Sequence, residues 1–61
     1  MKKRILRKGQ RRTIYIDPFT EKVSEGKAVL IQKLSDSIRS EFWQVMFVSD
    51  DTVCQRKIRV N

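Results

Sequence analysis

The sequence predicts an all-β protein, a small five-stranded barrel preceded by a basic arm. Three observations carry this reading. Apolar and polar residues alternate with a period of two in short runs rich in β-branched and aromatic side chains. Turn-forming residues separate the runs. The chain has 61 residues with one cysteine and no histidine, so one small core must form without a disulfide, and closing a sheet on itself is how such a chain hides its strand edges.

In chain order, residues 1–9 are expected to be a flexible basic arm and residues 10–61 a single domain. Arg12-Thr13-Ile14-Tyr15-Ile16 alternates as a half-buried strand, with Tyr15 pointing opposite Ile14 and Ile16. Asp17-Pro18 ends it, because proline has no N–H to give a sheet and aspartate favours turns. Asp17 to Gly26 reads as a long connection with Phe19 and Val23 as its apolar anchors. Lys27 to Leu34 makes a second strand, Val29 and Ile31 on one face and Ala28, Leu30 and Leu34 on the other. Ser35 to Ser40 is a polar break. Glu41 to Val48 is the clearest strand: Trp43, Val45 and Phe47 share the face expected to fill the core, and Phe42, Gln44, Met46 and Val48 share the other. Ser49-Asp50-Asp51-Thr52 is a turn by composition; Val53 to Gln55 returns as a fourth strand, and Ile58 and Val60 close a short fifth. One alternative competes. Val23, Lys27, Leu30, Ile31, Leu34 and Ile38 also fall at helical spacing, with Ser24 as an N-cap, which would place a helix at about 24–39 and make the chain α+β. Gly26 in the first turn and β-branched Val29 and Ile31 argue against it.

The order Arg12 to Ile16, Glu25 to Ile31 opening on Gly26, Phe42-Trp43-Gln44-Val45-Met46-Phe47 and Arg56-Lys57-Ile58 resembles SH3-like small barrels of the KOW and Tudor type, including small phage-encoded proteins of that fold, over residues 10–61. The resemblance implies a barrel and a binding module. Proline-peptide recognition is not implied, since the tyrosine-rich first strand and paired tryptophans of signalling SH3 domains are absent.

The inventory argues against an enzyme. Without histidine the usual near-neutral acid or base is missing, and the two glycines, Gly9 and Gly26, make no phosphate loop. Cys54 beside Arg56 lacks an evident base and reads as a small residue in or beside the core. Adjacent Asp50 and Asp51 read as turn formers rather than metal ligands, so no cofactor or metal is expected. The longest apolar runs, Ala28 to Ile31 and Val45 to Val48, are far below the roughly 20 residues of a membrane helix. Met1 to Arg4 is followed only by Ile5 and Leu6 before Arg7 and Lys8, which is no signal peptide, so a cytoplasmic protein is expected.

Charge supplies the functional expectation. Residues 1–12 carry Lys2, Lys3, Arg4, Arg7, Lys8, Arg11 and Arg12 and no acid; residues 13–61 carry seven cations and seven acids, so the start of the chain accounts for the whole net charge of +7. Arg56, Lys57 and Arg59 form a second basic group that joins the first if the C-terminus folds back beside it. Such a concentration of cations favours the nucleic-acid backbone, with Tyr15 as a candidate for base stacking; engaging all seven cations of the start predicts a log–log salt slope of roughly −6 on duplex DNA. The competing reading is a protein-interaction adaptor using Phe19 in the 17–26 loop and an exposed face of Phe42 and Met46. A solvated tail on a purely structural domain is the third. A membrane-surface role has little support, because Ile5 and Leu6 alone give the basic segment little to insert.

Overall fold

A computed structural model of the chain describes residues 4–61. Four strands follow one another, β1 (Arg11–Tyr15), β2 (Ser24–Asp36), β3 (Ser40–Phe47) and β4 (Val53–Arg59). They form one antiparallel sheet in the order β1-β2-β3-β4, with no helix among the described residues. The all-β expectation therefore holds, and two finer expectations are corrected. The sheet is open and four-stranded rather than a closed five-stranded barrel, because no ladder joins β1 to β4 and because the residues assigned to strands four and five form one continuous strand. No turn former interrupts Gln55-Arg56-Lys57-Ile58, so the chain has no local reason to break there. The helix at about 24–39 is overturned as well. Residues 24–29 pair with β1 and residues 28–36 with β3, so this backbone's hydrogen bonds are committed to two ladders.

The shape of β2 explains how an open sheet encloses a core. A straight 13-residue strand would run roughly 40 Å, against a longest molecular dimension of 34 Å. Register shifts in β2 leave Glu25, Ile31 and Leu34 without a partner residue across the ladder. Each such bulge bends the strand and increases its twist. The sheet curls until β4 meets β1. Leu34 was expected beside Ala28 and Leu30, but as a bulged residue it leaves their face and is 41% exposed. The shift between Ile14 and Tyr15 likewise ends the alternation of the first strand, burying Ile14 and leaving Ile16 67% exposed.

Inside the curl lie Ile14, Ala28, Leu30, Trp43, Val45, Phe47 and Ile58, with Leu6 and Cys54 packed against them. Complete burial of a large aliphatic side chain contributes about 1.5–3 kcal/mol, and Ile14, Leu30, Val45 and Val60 are all fully buried. Trp43 fills the core as its alternation predicted, and its indole N–H donates to Glu41 Oε1 at 2.8 Å, which satisfies both a buried donor and a buried carboxylate.

The basic segment is held to the sheet from Arg4 onward. The Arg4 N–H donates to the Val60 carbonyl at 2.7 Å, and the Gly9 N–H donates to the Leu30 carbonyl at 2.7 Å. The Leu30 N–H in turn donates to the Gln10 carbonyl. Between these anchors a turn reverses the chain, the Gln10 N–H donating to the Arg7 carbonyl with Gly9 at a φ of +81°. Val60 is clamped from the other side too, its N–H donating to the Arg39 carbonyl in the β2–β3 turn.

Candidate nucleic-acid interface

The loop between β1 and β2 is built by its first residue. Asp17 Oδ1 accepts from the N–H groups of Phe19 and Thr20, and the Asp17 carbonyl accepts from the Glu21 N–H at 3.0 Å. This is the local bonding that Asp-Pro favours at a turn. The turn ends with Glu21 in the left-handed region at a φ of +53°. Its side chain then reaches Arg4, whose Nη1 and Nη2 donate to Oε2 and Oε1 at 2.6 and 3.1 Å, and lies 3.8 Å from Arg59 Nη1. The hydrogen bonds from Arg4 hold the Glu21 carboxyl below its usual range, with Arg59 and Arg12 adding to the effect, and Glu21 in return pushes the Arg4 guanidinium further up.

Around this carboxylate the curled sheet brings both basic groups together. A narrow slot between β1 and β4 is lined by Arg4, Arg12, Tyr15, Glu21, Lys57 and Arg59 among others, and it adjoins an open groove of about 370 Å³ that adds Arg11 and Lys27. Among the described residues the walls thus carry six cations, Arg4, Arg11, Arg12, Lys27, Lys57 and Arg59, against the single carboxylate of Glu21. Arg11, Arg12, Lys27 and Lys57 have no ion-pair partner among the described residues. Tyr15 is half-buried in the same wall. A low-dielectric groove lined by one sign of charge concentrates counter-ions, and backbone phosphates are the extended ligand that fits such a row.

The remaining sequence candidates distribute differently. Lys2 and Lys3 lie outside the described residues. Arg7 and Lys8 are exposed on the turn before β1 and do not line the groove. Arg56 is separated from Lys57 and Arg59, because neighbouring strand residues face opposite ways. Its guanidinium is paired bidentately with Glu25 at 2.9 and 3.1 Å and lies 5.9 Å from the centre of the Phe47 ring, in a second cleft that also holds Cys54. Phe19 is partly exposed but pinned, with the Arg39 guanidinium 5.5 Å from its ring centre and Arg59 Nη1 donating to its carbonyl. Phe42 and Met46 are half-buried, so the exposed apolar face expected of them is partly covered.

Two charged groove residues were not among the sequence candidates. Lys27 stands opposite Thr13 in the β1–β2 ladder, a register visible only once the bulge at Glu25 is known. Glu21 carries no motif of its own; its one sequence signal is the Asp-Pro turn that precedes it. Among the described residues no group of three or more His, Cys, Asp or Glu comes together that could hold a metal ion, and no helix is long and apolar enough to cross a membrane. Comparison with protein-family models, curated proteins and solved structures gave no match.

Proposed function

We propose that this protein is a non-enzymatic binding module whose β1–β4 groove takes the sugar–phosphate backbone of nucleic acid. The observation that carries the reading is the convergence of Arg12, from the first basic group, with Lys57 and Arg59, from the second, on one groove beside Tyr15. Arg12 offers a planar fork for bidentate phosphate contact, Lys57 a point charge, and Tyr15 an aromatic ring beside the charged row. Contacts of this kind position a protein on nucleic acid with little sequence preference. The long bent strand shared by two ladders supports reading the fold as a relative of SH3-like modules. The adaptor reading has weaker support, since Phe42 and Met46 are half-buried and Phe19 is occupied by Arg39 and Arg59.

The test is a fluorescence titration of a short duplex and of a single strand with full-length protein and with the double variant Arg12→Ala/Lys57→Ala, over a range of salt concentrations. Loss of two phosphate contacts makes the log–log slope shallower by about 2 and weakens binding at least tenfold at low salt. A control pair, Lys33→Gln/Arg39→Gln, removes the same charge outside the groove and leaves the slope nearly unchanged. Equal effects from the two pairs would show attraction by net charge alone and refute the groove.

A further inference from the structure

We propose that Glu21 sits in the seat of a phosphate: Arg4, Arg12 and Arg59 form a phosphodiester site that the chain's own carboxylate fills, and a backbone phosphate enters by displacing it. This rests on the polyanion reading above and gives it a particular site with a built-in competitor. The geometry is the first support. Arg4 meets Glu21 with two parallel N–H···O bonds of 2.6 and 3.1 Å, the fork a guanidinium makes equally with a carboxylate or with the two free oxygens of a phosphodiester. Convergence is the second. Arg59 Nη1 stands 3.8 Å from the same carboxylate, and Arg12 lines the slot with both, so three arginines share a slot with one negative charge.

The third support is the way Glu21 is delivered. It is the one acid among the described residues of the groove wall, and its backbone is held at a φ of +53°, a region that non-glycine residues enter at a cost. The turn itself does not use the Glu21 side chain: Asp17 Oδ1 accepts from Phe19 and Thr20, and the Asp17 carbonyl accepts from the Glu21 main chain. The carboxylate can therefore leave the arginines without dismantling the loop that carries it. A phosphate taking its place gains the same fork, and Glu21 returns to water. The contact thus acts as a brake, lowering affinity for isolated anions while a polyanion, engaging Lys57 and Arg11 as well, outcompetes it.

The experiment compares full-length wild type with Glu21→Gln and Glu21→Gly in the same titration. The glycine variant suits the left-handed backbone and keeps the test usable should the glutamine variant fold poorly. Both variants are expected to bind the duplex at least about fivefold more tightly at low salt, with a slope changed by less than about 1, because the wild-type complex already engages Arg4 and Arg59 once Glu21 is displaced. Adding Arg12→Ala to either is expected to remove most of the gain. NMR contacts between residues 4 and 60 are expected to persist, because the Arg4 main chain stays bonded to Val60. Unchanged or weaker binding by both variants, with wild type binding, would overturn this proposal and leave the polyanion reading standing. Tighter binding accompanied by loss of the 4–60 contact would also overturn it, since a released basic segment would then be the cause. Absence of binding by wild type and variants alike would overturn both.

Discussion

Replacing Gly26 with alanine isolates a single cause. Gly26 pairs with Ile14 near the start of β2, next to the bulge at Glu25, with a φ of +120°. That angle lies well beyond the left-handed well near +57° that other residues reach. A Cβ built there meets no atom within 4 Å, so the substitution creates no clash and its whole cost is conformational. A residue forced into a sparsely populated backbone region costs about 1–3 kcal/mol. A domain of 61 residues has a total stability of roughly 3–9 kcal/mol. The expected fall in Tm is about 5–20 °C at 4–8 °C per kcal/mol. Gly9→Ala is the internal comparison: its φ of +81° is nearer the left-handed well and its surroundings equally open, so about 1 kcal/mol is expected. Thermal and urea unfolding followed by the fluorescence of Trp43, the one tryptophan and a buried one, measures both. An alanine at position 26 that leaves Tm unchanged, or a larger loss at position 9 than at 26, would refute the account of how β2 begins.

Three further outcomes follow from particular contacts. Because hydrogen bonds from Arg4 hold the Glu21 carboxyl below its ordinary value of 4.5, the ionised pair stabilises the fold above about that pH, and the contribution is lost as pH falls through the lowered folded value. The gap in stability between wild type and Glu21→Gln, about 1 kcal/mol or less for a partly solvated pair, should appear as a Tm difference at neutral pH and close in acid; a gap that widens in acid would contradict the sign. Trp43→Phe removes the N–H that Glu41 Oε1 accepts and leaves a buried acceptor unsatisfied, so urea unfolding by far-UV circular dichroism should show a loss of about 1–3 kcal/mol. Arg56→Gln should leave the salt slope of nucleic-acid binding unchanged, since that guanidinium is held by Glu25 away from the groove; a slope shallower by about 1 would place it among the contacts.

The legible parts of this chain are those where strand periodicity runs without interruption. Along β3 burial alternates from Glu41 to Phe47 with no register shift, and Trp43, Val45 and Phe47 could be assigned to the core from spacing alone. In β2 the bulged residues Glu25, Ile31 and Leu34 break the period of two, so periodicity alone gives a strand shorter than Ser24–Asp36 and places Leu34 on the wrong face. The separate fifth strand at Ile58 and Val60 does not form: Arg56 and Lys57 alternate along a continuous β4, one toward Glu25 and the other toward the β1–β4 slot. Alternation also explains the candidate site. The meeting of Arg12 with Lys57 and Arg59 could be foreseen as a condition on where the C-terminus lies, whereas Arg56 was grouped with them by sequence proximity that a strand reverses. The link from Glu21 to Arg4 spans 17 residues and depends on the curl of the sheet, which no local pattern encodes.

The groove is tested most directly by mapping backbone amide shifts of the full-length protein by NMR as a short oligonucleotide is added at low salt. Shifts concentrated on Arg11, Arg12, Thr13, Tyr15, Lys57 and Arg59, the residues lining the slot and its adjoining groove, are the expected result. Shifts centred instead on Glu25, Cys54 and Arg56 in the second cleft, or no shifts at all, would contradict it.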